Sequence, residues 1–129
     1  MKGLILSFVL VGGSSTYAPG DGHNHGTLAC GGKLTDNSHH VAIRQWRGRC
    51  GAKVRVCTPK RCVWSTVRDS GPWGAVKGKM WEVQIKLKPG WRRRGVVDLS
   101  PALWRDLGKP RFLSPIRVEV YRRDTTDNV

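Results

Sequence analysis

Asp69 and Asp98 occupy the two most defined polar contexts of the chain, Val67-Arg68-Asp69-Ser70-Gly71-Pro72-Trp73 and Gly95-Val96-Val97-Asp98-Leu99-Ser100. Carboxyl groups are the side chains that general acid chemistry and charge stabilisation use. Each also has an architectural use. Asp69 before Ser-Gly-Pro suits a turn, and Asp98 just ahead of a helix start can accept backbone N–H groups where the helix dipole favours negative charge. Trp73 and Trp91 fall in loop-like sequence and are candidates for stacking against a ligand, whereas Trp46, Trp64, Trp81 and Trp104 read as core or edge packing. His23-Asn24-His25 and His39-His40 have spacing that permits metal binding, but no ordered set of partners completes them. No metal site and no cofactor are assigned.

The four cysteines, Cys30, Cys50, Cys57 and Cys62, form an even set in a short basic chain, which favours disulfides and an oxidising compartment. Zinc is the competing use. Thr58-Pro59-Lys60-Arg61 between Cys57 and Cys62 reads as the turn of a hairpin closed by a bridge. Of the three possible pairings, Cys57–Cys62 with Cys30–Cys50 is the favoured one.

The elements that must carry these residues are mostly strands. A chain of 129 residues with 16 Gly and 7 Pro is about one domain long and turn-rich. Residues 41–46 and 53–57 are strand-like. Residues 62–68 continue the hairpin, with Val63, Ser65 and Val67 on one face and Trp64, Thr66 and Arg68 on the other. Asp69-Ser70-Gly71-Pro72 ends that strand. Residues 73–94 are basic and Trp-containing, and the alternation in 81–87 reads as an inserted hairpin or loop. Residues 101–107 form the one convincing helix, with Ser100 as N-cap, Pro101 at the first position and Gly108 as the stop. Ile116-Arg117-Val118-Glu119-Val120-Tyr121 alternates strictly and closes the domain. Residues 1–13 form an apolar segment, signal-like or a packing arm, too short to span a bilayer. The domain proper covers 14–121, and 122–129 is a polar tail.

The charge bounds the partner. Lys plus Arg is 23 against 9 Asp plus Glu, a net charge of +14. Such a field gathers anions without naming one: nucleic acid, anionic cell wall, acidic membrane or an acidic protein lattice all qualify. The Arg92-Arg93-Arg94 run carries no helix-turn-helix, zinc-finger or RNA-platform signature, so no specific nucleic-acid motif is present.

The order of motifs resembles the rare lipoprotein A family and its expansin-like and barwin-like relatives. It runs from Ser15-Thr16-Tyr17-Ala18-Pro19-Gly20-Asp21-Gly22, through Ala29-Cys30-Gly31-Gly32, Cys50-Gly51 and Val67 to Trp73, to Val97-Asp98-Leu99-Ser100 and the short helix. The resemblance covers about residues 14–121. It implies a mainly β, six-stranded double-psi β-barrel with one short helix at about residues 101–107. It also implies a groove in which Asp69 and Asp98 are the possible catalytic pair, lined by Tyr17, Asp21 and Trp73, with Trp91 as a further stacking candidate. Members of such families include lytic transglycosylases, which cleave peptidoglycan without water, and proteins that loosen polysaccharide or only bind partners. The transglycosylases place a histidine before the Gly-containing turn ahead of the second strand. Here residues 43–51 contain none, and His39 and His40 lie a few residues earlier, where they substitute only if a gap shifts the alignment. The implied function is a cell-wall polysaccharide-binding domain directed at peptidoglycan, extracellular or in the cell envelope, in a lytic or an expansin-like form. The alternative is a structural or assembly protein, such as a virion component contacting other protein subunits. A protease-inhibitor-like barrel also fits the disulfides.

Overall fold

The alternating segments become the wall of a closed barrel. The computed structural model describes residues 3–20, 26–73, 75–77, 91–93 and 95–124. Its elements are β1 (Leu4–Thr16), β2 (Val41–Ala42), β3 (Lys53–Cys57), β4 (Cys62–Asp69), β5 (Ala75–Lys77), β6 (Trp91–Arg93), β7 (Val97–Leu99), α1 (Pro101–Asp106) and β8 (Pro115–Arg123). The barrel closes in the order β1-β7-β2-β4-β3-β8, while β5 and β6 pair antiparallel as a separate two-stranded sheet. The pairs β1–β7 and β2–β4 are parallel; the other barrel pairs are antiparallel. The expected mainly β architecture with six barrel strands and one short helix is therefore the one observed.

Period-two patterning sets which side chains fill the barrel. Val54 and Val56 of β3, Val67 of β4 and Val118 and Val120 of β8 are fully buried, as are Val41, Val97 and Leu99. A fully buried Val or Leu contributes about 1.5–3 kcal/mol relative to exposure, so this row dominates the fold's stability. In β1 a register shift between Leu6 and Phe8 re-phases the strand. Phe8 and Leu10 then pack on the core while Leu4, Leu6 and Val11 remain exposed. Residues 4–13, the apolar amino-terminal segment of the sequence, pair with β8.

Three local expectations differ from the structure. The strand read over 41–46 is only Val41–Ala42, because the chain turns at 44–45 and 47–48. Trp64, read as packing, is 51% exposed, since it lies in the outward phase of β4 while Ser65, Val67 and Asp69 are buried. Ser100 holds the N-cap position but makes no side-chain cap. Its hydroxyl instead accepts the His40 N–H at 2.7 Å, tying α1 to β2. Helix α1 buries Leu103, with Leu107 just beyond its end, and terminates at Gly108 (φ 84°).

The cysteines pair as Cys30–Cys50 and Cys57–Cys62. The second closes the β3–β4 hairpin, where Cys57 and Cys62 are register partners. The first clamps the loop around residue 30 near β4, whose Val67 carbonyl accepts the Gly51 N–H at 2.8 Å.

Candidate functional site

Strand register builds the site. Ser15 of β1 is the partner of Asp98 on β7, Asp98 of Ala42 on β2, and Ala42 of Asp69 on β4. One row across four strands thus carries both aspartates with a small alanine between them. Two strand spacings put their backbones roughly 10 Å apart. Tyr17 enters from the end of β1, where its N–H extends the parallel ladder to the Leu99 carbonyl at 3.2 Å.

Asp69 is 7% exposed and is an acceptor at both oxygens: Oδ1 takes the Ala29 N–H at 2.7 Å and Oδ2 takes the Tyr17 hydroxyl at 2.8 Å. The Cys30–Cys50 bridge anchors the residue next to Ala29, and the Cys30 N–H meets the Arg68 carbonyl at 3.0 Å. The disulfide therefore helps hold the donor that Asp69 needs. Tyr17 Oη also lies 2.6 Å from His40 Nε2. Since the single hydroxyl proton goes to Asp69, the imidazole must donate its Nε2–H to Tyr17 Oη. The result is a directed chain, His40 to Tyr17 to Asp69, in which each group is oriented by the next. Burial, reinforced by the Asp69 hydrogen bond and charge, pushes the Tyr17 hydroxyl well above the ordinary phenol range. Burial lowers His40 to about 4, against the opposing pull of Asp69, so its ring is neutral at pH 7.

Asp98 is half-buried, and its Oδ1 accepts the hydroxyl of buried Ser15. Gly71 packs directly over it. A Cβ at Gly71 would sit 2.8 Å from Asp98 Oδ2, and the residue's φ of 146° is itself one that side chains avoid. The same loop carries Trp73, 53% exposed, whose Nε1–H donates to Ser70 Oγ at 2.6 Å. Arg44 Nη1 donates to the carbonyls of Pro72 (2.7 Å) and Gly95 (2.8 Å), fastening this loop to the approach to β7.

Of the residues expected from sequence, the structure brings together Tyr17, Asp69 and Asp98, with Trp73 displayed on the loop beside them. Asp21 and the Trp91 side chain lie outside the described residues, as do His23 and His25. His40, which the sequence offers only as a substitute for the family's histidine, joins them through Tyr17. Its signal was present in His39-His40 directly before the Val41 strand, but only the β2 register reveals the contact. Among the described residues no group of three or more His, Cys, Asp or Glu side chains is arranged to hold a metal. Two clefts lie apart from the aspartate row. One, of about 310 Å³, runs beside Leu107 and Pro110, and another, of about 560 Å³, beside Arg49 and Arg122.

Solved structures share this architecture. A Streptomyces papain inhibitor aligns over 91% of this chain and 97% of its own, with TM-score 0.57 and 21% identity. The apo form of an expansin from Clavibacter michiganensis aligns over 89% of this chain, with TM-score 0.55 and 21% identity. This chain spans about half the expansin's length, 51% of it. The fold is a double-psi β-barrel. No protein-family model matches the sequence, and neither does any curated protein.

Proposed function

We propose that this barrel binds cell-wall polysaccharide, peptidoglycan first, along the row formed by Tyr17, Asp69 and Asp98, with Trp73 stacking on a sugar ring. The observation that carries this reading is the register alignment of two aspartates from different strands beside an exposed tryptophan. Carboxylates accept sugar hydroxyls, and an indole face covers the apolar face of a pyranose. The net charge of +14 favours a wall polymer that carries negative charge. Two disulfides favour an extracellular or cell-envelope setting. Among the described residues no helix is long and apolar enough to cross a membrane.

Within the site the two acids divide by role. Asp69 already accepts two hydrogen bonds, which suits an anion that orients or stabilises positive charge. In a lytic version of this function, we assign Asp98 the role of giving a proton to a glycosidic oxygen. Incubation with purified peptidoglycan tests both levels at once. Pull-down reads binding, and mass spectrometry for anhydro-sugar products reads cleavage. Asp98→Asn abolishes product release if Asp98 is the acid; unchanged turnover in that folded variant removes it from the mechanism.

A second reading, an assembly role through protein contacts, is favoured by the exposure of Leu4, Leu6 and Val11 along β1. It predicts self-association or capture of a partner subunit that Leu6→Lys abolishes, with no peptidoglycan in the pull-down. Light scattering distinguishes it.

A further inference from the structure

The outer face of β3, β4 and β8 carries a feature that the aspartate row does not use. Trp64 projects from β4 with half its surface in solvent, and its ring lies 5.3 Å from that of Tyr121 on β8, tilted by 42°. The two aromatics meet across β3. Beneath them runs a rigid polar base. Trp64 is the register partner of Arg55, and Arg55 of Glu119. Tyr121 Oη donates to Glu119 Oε1 at 2.8 Å, while Arg55 Nη1 meets Oε1 at 3.3 Å and Arg117 Nε meets Oε2 at 3.1 Å. The hydroxyl of Tyr121 and the guanidinium of Arg117 hold the Glu119 carboxyl below its usual range. Both arginine side chains nonetheless stay 42–50% exposed, so their remaining N–H donors border the platform.

A half-exposed indole packed against a tyrosine, with arginine donors at its border, offers a surface on which a ligand ring can stack. We propose that this face is a second ligand surface, which takes an anionic polysaccharide by stacking a sugar ring on Trp64 and Tyr121 and pairing its carboxylates with Arg55 and Arg117. Charge complementarity selects an anion, because the chain as a whole is +14. The indole face suits the flat CH face of a pyranose. Glu119, buried and already paired with both arginines, leaves this cluster with one net positive charge, which suits the sparse carboxylates of a glycan better than the closely spaced phosphates of a single-stranded nucleic acid. The surface is distinct from the aspartate row. On β4, Trp64 and Asp69 are five residues apart, an odd step that points them to opposite sides of the strand. It therefore stands whether or not the groove binds peptidoglycan.

The test uses the full chain and soluble polygalacturonate, with neutral dextran and an oligo-dT single strand as comparisons, measured by titration calorimetry at low and moderate salt. Trp64→Ala is expected to weaken polygalacturonate binding by about three- to tenfold. Trp64→Phe should restore most of that loss. Binding should fall with salt and be absent for dextran. Since Trp64 is half in solvent, the alanine variant keeps the fold; should its circular dichroism change, Arg55→Gln with Trp64→Phe carries the same comparison. Affinity that is indifferent to Trp64 and Arg55 overturns the proposal. So does Trp64-dependent binding of oligo-dT without comparable binding of polygalacturonate.

Discussion

Tyr17 sits between a neutral imidazole and a carboxylate, and its single proton decides the behaviour of all three. Tyr17→Phe removes a donor from Asp69 and an acceptor from His40, both buried. The expected cost is about 1–3 kcal/mol by urea denaturation, with weaker peptidoglycan binding as the functional readout. Gly71→Ala drives a methyl into Asp98 Oδ2 and should displace that carboxylate; loss of groove binding with an intact β8 face is the expected pattern. His40 predicts a pH dependence. Its folded value of about 4 lies below the ordinary imidazole value of 6.5, so between those values the unfolded chain holds a proton that the folded chain does not. Stability is therefore fully present above about pH 6.5 and falls as the solution is acidified towards 4, with a limiting slope of about 1.4 kcal/mol per pH unit from this group. Chemical denaturation at several pH values measures it, and His40→Gln should flatten that limb. A slope that persists in the variant assigns the effect elsewhere.

At the scale of elements, α1 is joined to β2 by Ser100, whose fully buried hydroxyl receives the His40 N–H. Ser100→Ala leaves that donor without its partner and should cost about 1–3 kcal/mol, more than loss of an ordinary exposed cap. Leu103→Ala, at a site with no solvent exposure, should cost about 2–5 kcal/mol by the same denaturation assay. The sequence makes β3, β4 and β8 legible because alternation over five to nine residues encodes both the element and its buried face. Helix α1 is legible from Pro101 and Gly108. β2 is not: two residues carry no period, yet they align Asp98 with Asp69. That is why the aspartates could be named but His40 could not be joined to them. The first half of β1 is legible only in part. A short apolar run after Lys2 reads as a signal-like segment, a strand or a packing arm, and in the structure it pairs with β8. Trp64 shows a third limit. Its face was readable, but which face meets water depends on closure of the barrel.

The whole molecule combines a compact apolar barrel with a strongly cationic exterior, so encounter with a wall polymer should be salt-sensitive while stacking and hydrogen bonding at the groove should persist. The two disulfides close loops of unequal length, and the chain-entropy model assigns about 3 kcal/mol to Cys30–Cys50 and about 2 kcal/mol to Cys57–Cys62. Removing Cys30–Cys50 should also loosen Ala29 from Asp69, so it is expected to weaken groove binding where removal of Cys57–Cys62 does not. The most direct test of the proposed function is a co-sedimentation isotherm of the full chain on insoluble peptidoglycan at physiological ionic strength, wild type against Trp73→Ala. Saturable sedimentation of the wild type, weakened about three- to tenfold in Trp73→Ala, is the result predicted. A wild type that stays in the supernatant, or two isotherms that coincide, would contradict it.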